Sequence, residues 1–334
     1  MLHFVKECKL LVAASRAGDR EGIENLLKKG APVNGLWKHY TPLAALIQPA
    51  GHVASSVSDG GSRRKCLSVL LRHGAEPNLE SGWPAVDALL LAGFGGAKDL
   101  VEDLSHVVSA GFIHAAALGD VAVVRKKLKS GVGLKTTGGV TALHAAAGSR
   151  LGAGDAGLAA RLVEIVLLLL GAGADARTRV EAWGHSLDPV YFAISSGQVE
   201  IFALLLEAGG DATTALGVTL WQPGFEFAEV ALRHGAKIDE ARDEGRPVLN
   251  RMAQWGRVRQ VEWLLMQGAD ANVADERGWT ALHQTASRGN ERMVRALLCA
   301  GAVVGRKTRD GKTAIDVANA VGKLKVVNAI QEFL

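Results

Sequence analysis

The sequence predicts an all-helical solenoid, a stack of repeats built from paired helices. Two observations carry this expectation. A segment of about 33 residues returns along the chain, and its clearest copies lie end to end: TALHQTA at 280–286, Gly-Ala at 301–302, then TAIDVAN at 313–319. Within such a segment the apolar residues fall at helical spacing, so that Leu282, Ala286, Met293, Val294, Leu297 and Leu298 share an inward face. A fixed period of this length marks a repeat architecture. Each repeat then touches only its neighbours, and the product is a long surface rather than an enclosed pocket. Such a surface favours binding over catalysis.

The tetrapeptides TPLA at 41–44 and TALH at 141–144 and 280–283, with GADA at 173–176 and GADAN at 268–272, make these segments resemble the ankyrin repeat over essentially the whole chain. The resemblance implies a turn, the TPLH tetrapeptide, a short helix, a glycine, a second helix, then GAD and a β-hairpin finger. The repeats are counted by the residue at the motif's histidine position: Val12, Ala44, Asp87, Ile113, His144, Tyr191, Trp221, Asn250, His283 and Asp316. The third, fourth and seventh are degenerate, so the count is nine or ten. The resemblance also implies that His144 and His283 tie their turns to a neighbouring backbone. The first helices and the fingers are expected to line a concave groove.

The elements follow in order. The opening LVAASRAGD fits the repeat register and lacks the apolar stretch of a signal peptide, so it reads as the first repeat. Insertions at 49–62 and 149–160, rich in Gly, Ala and Ser, are expected to be mobile loops. They read as tolerated insertions or as extensions of a binding face. Near 105–112 a finger is shortened, which predicts an irregular junction within one solenoid spanning 1–334. In the repeat near 217–235, Pro223 and Gly224 fall where the first helix is expected, so that helix is predicted to be broken. Leu265 and Leu298 are expected to be buried in second helices. IVLLLL at 165–170 belongs to a second helix and is far too short to span a bilayer.

Composition narrows the function. The chain is 48% hydrophobic and 22% charged with a net charge of +4, a soluble globular balance with little electrostatic pull on nucleic acid. The basic run Arg125, Lys126, Lys127 and Lys129 lies on a helix whose apolar face is elsewhere, which reads as a solvent face. Cys8, Cys66 and Cys299 lie far apart, arguing against a disulfide framework or zinc site and for a reducing, cytoplasmic setting. No phosphate loop, HExxH or paired-cysteine motif is present, and no nucleophile accompanies a histidine. No catalytic residue, cofactor or metal is therefore assigned. The acid pairs Glu102–Asp103 and Asp243–Glu244 read as solvated surface. His73 and His234 sit at second-helix ends, where they suit the helix dipole, whereas His114 is expected to face the groove.

The candidate binding residues come from contrast along the groove. Positions one, four and five past the motif histidine are expected to face outward. Early repeats supply small residues there, such as Ala45, Ala88, Ala117 and Ala145. Later repeats supply Phe192, Arg251, Gln254, Trp255, Gln284 and Arg288, and the broken helix is expected to expose Trp221 and Phe225. Trp and Arg are enriched where binding energy concentrates. The finger aromatics Tyr40, Trp83 and Trp279 share one repeat position and fit stacking as well as partner contact, with Trp37, Trp183 and His185 on finger loops. The function expected is non-catalytic binding of a protein partner, as a scaffold or as a stoichiometric inhibitor or immunity protein. The alternative is a secreted or translocated effector engaging host proteins. Neither nucleic-acid binding nor membrane insertion is expected.

Overall fold

A computed structural model describes residues 2–48, 60–82, 86–130, 139–182 and 185–333. The chain divides into two compact blocks, residues 1–210 and 211–334. The first block holds six helix pairs among the described residues: α1 (Leu2–Ala17) with α2 (Arg20–Lys28), α3 (Pro42–Ile47) with α4 (Gly60–Arg72), α5 (Ala88–Gly95) with α6 (Lys98–Ser105), α7 (Phe112–Leu118) with α8 (Val121–Leu128), α9 (Ala142–Gly148) with α10 (Ala156–Gly171), and α11 (Pro189–Ser196) with α12 (Val199–Glu207). A finger of β1 (Val180–Ala182) and β2 (His185–Leu187) precedes α11, antiparallel with Val180 opposite Leu187. The second block holds four pairs: α13 (Ala212–Thr219) with α14 (Glu226–Arg233), α15 (Val248–Gln254) with α16 (Val258–Met266), α17 (Ala281–Arg288) with α18 (Glu291–Cys299), and α19 (Ala314–Ala320) with α20 (Leu324–Gln331). Its finger, β3 (Arg242–Asp243) with β4 (Arg246–Pro247), leads into α15.

Within the first block α1, α3, α5, α7, α9 and α11 pack in succession; within the second, α15, α17 and α19 do so, backed by α16, α18 and α20. Apart from the 16-residue α1, the first helices are short, and most open on a capping side chain. Thr41, Asp87, Thr141, Asp188 and Asp211 each accept a hydrogen bond from the backbone N–H three residues on, satisfying a donor the helix leaves open. Gly119, Gly197 and Gly289 close helices in the left-handed conformation that glycine takes without steric cost.

The motif histidine behaves as the resemblance implies. Thr280 N–H donates to His283 Nδ1 at 3.2 Å, which leaves the ring proton on Nε2 to bond the Lys312 carbonyl of the next finger at 3.2 Å. Asn250 stands at the equivalent place and donates to the Trp279 carbonyl at 2.7 Å. Burial holds the His283 imidazole below its ordinary value of 6.5. The folded state thus prefers the neutral ring. Its stabilisation is complete above 6.5 and is lost as the pH falls from there through the lowered folded value. His283→Asn keeps the bond without a titrating group, so urea midpoints followed from about pH 7.5 to 5 should decline less in that variant than in the unmodified protein.

Several expectations are corrected. His114, not Ile113, holds the motif position after Gly111. It does not face the groove: Gly111 N–H donates to its Nδ1 at 2.9 Å and its Nε2 meets Asp87 Oδ2 at 2.7 Å. Asp87 is itself a helix cap, so the motif position of its pair is Leu90. The first helix at the degenerate repeat is intact. It is α13, opening after Asp211, and Pro223 and Gly224 lie in the turn between α13 and α14. What is missing is the finger before it, since only residues 208–211 join α12 to α13. The insertion at 149–160 is not a free loop: Ser149 and Leu151 are buried, Arg150 N–H donates to Gly93 O at 3.0 Å, and Asp155 caps the long α10. The insertion at 49–62 falls outside the described residues up to 59, and 60–62 open α4. Leu298 is buried, as expected, but on α16 Val261 and Leu264 are the fully buried side chains, with Leu265 only half-buried.

Candidate protein-binding face

The second block gathers most of the sequence-predicted residues into one constellation, and its foundation is the finger. The turn Asp243-Glu244-Gly245-Arg246 reverses the chain with Glu244 at φ 46° and Gly245 at φ 75°, the paired positive angles of a tight two-residue hairpin turn. This finger packs on both α13 and α15. The contact with α13 is at Gly217, where a Cβ would lie 2.3 Å from the Arg242 carbonyl oxygen. Gly217→Ala should therefore destabilise the protein by about 1–3 kcal/mol, despite alanine's better helix propensity. Thermal unfolding checks this, and a variant more stable than the parent would mean that the hairpin yields freely.

The finger delivers Asp243 to the centre. Its Oδ2 accepts from Trp221 Nε1 at 3.0 Å and from Arg251 Nε at 3.1 Å. Arg251 also pairs with Glu244, donates from Nη1 to Gln254 Oε1 at 3.3 Å, and lays its guanidinium over the Trp255 ring at 5.3 Å. Trp221 and Trp255 meet edge to face, centroids 5.8 Å apart at 81°, a favoured aromatic geometry. Arg257 covers the Trp221 ring at 5.2 Å, Arg246 donates to Gln254 Oε1 at 2.5 Å, and Arg288 bonds the Gln254 carbonyl. Trp255 stays 50% exposed, held from two sides with its remaining surface open.

The other predicted residues are placed differently. Phe225 is half-buried and stacks on Trp263 at 4.8 Å and 3°. Gln284 is buried at 5% exposure with no hydrogen-bond partner for Nε2. Arg251, at 7% exposure, supports Trp255 rather than projecting outward. Phe192 lies in the first block and is a core residue, 3% exposed between Phe94 and His144. These corrections share a cause. The position one past the motif residue is where neighbouring first helices touch, and Ala45, Ala145, Phe192, Arg251 and Gln284 are all buried there. Only the positions four and five past it, Gln254, Trp255 and Arg288, reach the open side.

Sequence reasoning missed Asp243, Arg246 and Arg257. Asp243 and Glu244 are not simply solvated, since both pair with Arg251. An Asp-Glu-Gly-Arg run between two helices is itself a hairpin-turn signal and pointed to a finger there. Among the finger aromatics, Tyr40 and Trp279 lie beneath Arg16 and Arg277 at 5.2 and 5.3 Å, and Trp37 beneath Lys9 at 5.7 Å. Trp83 and Trp183 lie outside the described residues. In the basic run, Arg125 is ion-paired with Glu164 at 2.5 Å.

Residues 249–332 match a family model described as ankyrin repeats (3 copies). The fold also aligns with the ankyrin repeat domain of human ASB11, at 25% identity and TM-score 0.50 over 67% of this chain and 98% of that one. The fold is that of an ankyrin-repeat solenoid. The ankyrin repeat domain of Bcl-3, described as a member of the IkappaB family, matches in fold, at 24% identity and TM-score 0.55 over 67% of this chain and 98% of that one. A search of curated proteins found no significant match. Ankyrin repeats are generally protein–protein interaction modules, and the family is typically non-catalytic. Among the described residues no helix of this solenoid is long and apolar enough to cross a membrane, and no group of three or more His, Cys, Asp or Glu residues is placed to hold a metal ion.

Proposed function

We propose that the protein binds a protein partner through the face centred on Trp255. The observation that carries this is an exposed tryptophan held in place by its surroundings: half its surface is open, while an indole edge and a guanidinium fix its ring. A pre-organised aromatic loses little freedom on binding, which is where rigid surfaces gain affinity. Inhibition or immunity rests on this same face, because an enzyme or toxin seated on it is occluded at one-to-one stoichiometry. A photo-crosslinking amino acid at 255 tests the reading in the native host. It should capture a discrete protein that the same group at Leu167, a site on α10 that is also 51% exposed, does not. Identical capture from both positions would count against this face.

A further inference from the structure

We infer that the Trp255 face takes an acidic segment of its partner, an apolar side chain against the indole flanked by carboxylates; this rests on the protein-binding reading above. The argument is one of uncompensated charge. Outside this face three of the eight arginines of the second block have a carboxylate: Arg292 pairs with Glu262, Arg295 with Glu291 and Glu332, and Arg277 with Asp275. On the face itself Asp243 and Glu244 are both taken by Arg251. Arg246, Arg257 and Arg288 have no carboxylate partner among the described residues. They are held instead by neutral groups: Gln254 Oε1 for Arg246, the Trp221 ring for Arg257, the Gln254 carbonyl for Arg288. Four guanidiniums therefore face two carboxylates, and the excess of two positive charges surrounds an open indole.

This arrangement favours carboxylates over a nucleic-acid strand. A single-strand binder offers successive aromatic rings on which bases stack face to face along a cationic groove. Here the two rings stand edge to face, and each has a guanidinium over it: Arg257 on Trp221 and Arg251 on Trp255. One open indole beside forked donors matches one apolar side chain between carboxylates, which accept from guanidinium in parallel pairs.

The test uses the full chain and three fluorescein-labelled probes: a peptide of alternating Asp and Glu around a central Leu-Phe pair, the same peptide with Asn and Gln in place of the acids, and oligothymidine. The acidic peptide should bind roughly tenfold or more tightly than its neutral counterpart and weaken with added salt. Arg257→Glu and Arg288→Glu should each lower that affinity by roughly tenfold. Arg292→Glu, at an arginine already paired with Glu262, should leave it unchanged. Unfolding midpoints of the three variants separate loss of binding from loss of fold. Equal binding of acidic and neutral peptides overturns the inference, as does unaltered affinity in both face variants or a preference for oligothymidine. If crosslinking at 255 succeeds while the acidic peptide fails, protein binding stands and only the acidic class is wrong.

Discussion

Leu297→Ala is expected to lower the stability of the second block by about 2–5 kcal/mol, the cost of removing a buried leucine side chain and leaving a cavity. Leu297 is fully buried on α18, which packs between α16 and α20 as well as on α17. A repeat stack has no second core to take up the loss, because each pair leans only on its neighbours. Urea unfolding followed by tryptophan emission reads the effect, since four of the seven tryptophans, Trp221, Trp255, Trp263 and Trp279, lie in this block. Met266→Ala is the matched control: Met266 is 74% exposed, so its truncation should change stability by no more than about 0.5 kcal/mol. An unchanged midpoint in Leu297→Ala would mean that α18 does not pack as described.

Trp255→Ala is expected to weaken partner binding by about 2 kcal/mol or more, the usual consequence of truncating a central aromatic anchor, while leaving the fold intact. The substitution removes an exposed ring that contributes one edge contact and one cation–π contact to the fold. It leaves the buried pairing of Arg251 with Asp243 in place. Titration calorimetry against the partner captured by crosslinking measures the loss. Arg251→Ala should act differently, reducing binding and stability together, because it removes the guanidinium that Asp243 and Glu244 share and leaves Asp243 largely buried without its charge partner. Affinity undiminished in both variants would remove this face from consideration.

The fold was legible because the repeat writes its own period. Thr280, His283, Gly289 and Gly301 each serve a cap or turn of their repeat, and the same pattern returns in several other copies. The site was legible only in part. Trp255 and Arg288 stand out as large groups at open positions. Phe192 stood out in the same way, yet it lies where first helices meet, and spacing alone does not separate that line of contact from the open line three residues further along. The register at Trp221 was misread because Pro223 resembles a helix breaker wherever it stands, and the deletion of a finger moved the helix seven residues upstream of its expected motif position, from Trp221 to Thr214. Asp243 was missed because its role depends on a contact between a finger tip and two helices, and no local pattern encodes that.

The close approach at Gly217 has a consequence for how this chain can change. Ankyrin repeats are treated as interchangeable parts, cut at the boundary between one helix pair and the next. Here the α13 helix accepts no side chain at 217 because the hairpin at 242–247 lies against it, and that hairpin holds the carboxylate on which Trp221 and Arg251 depend. The two segments must be inherited together. A swap that replaced α13 and kept the finger, or the reverse, would join parts that each fit their own repeat and exclude one another. An exchangeable module at this point of the chain must hold at least residues 211–256, with the α16 helix that pairs with α15, and so is longer than a single repeat.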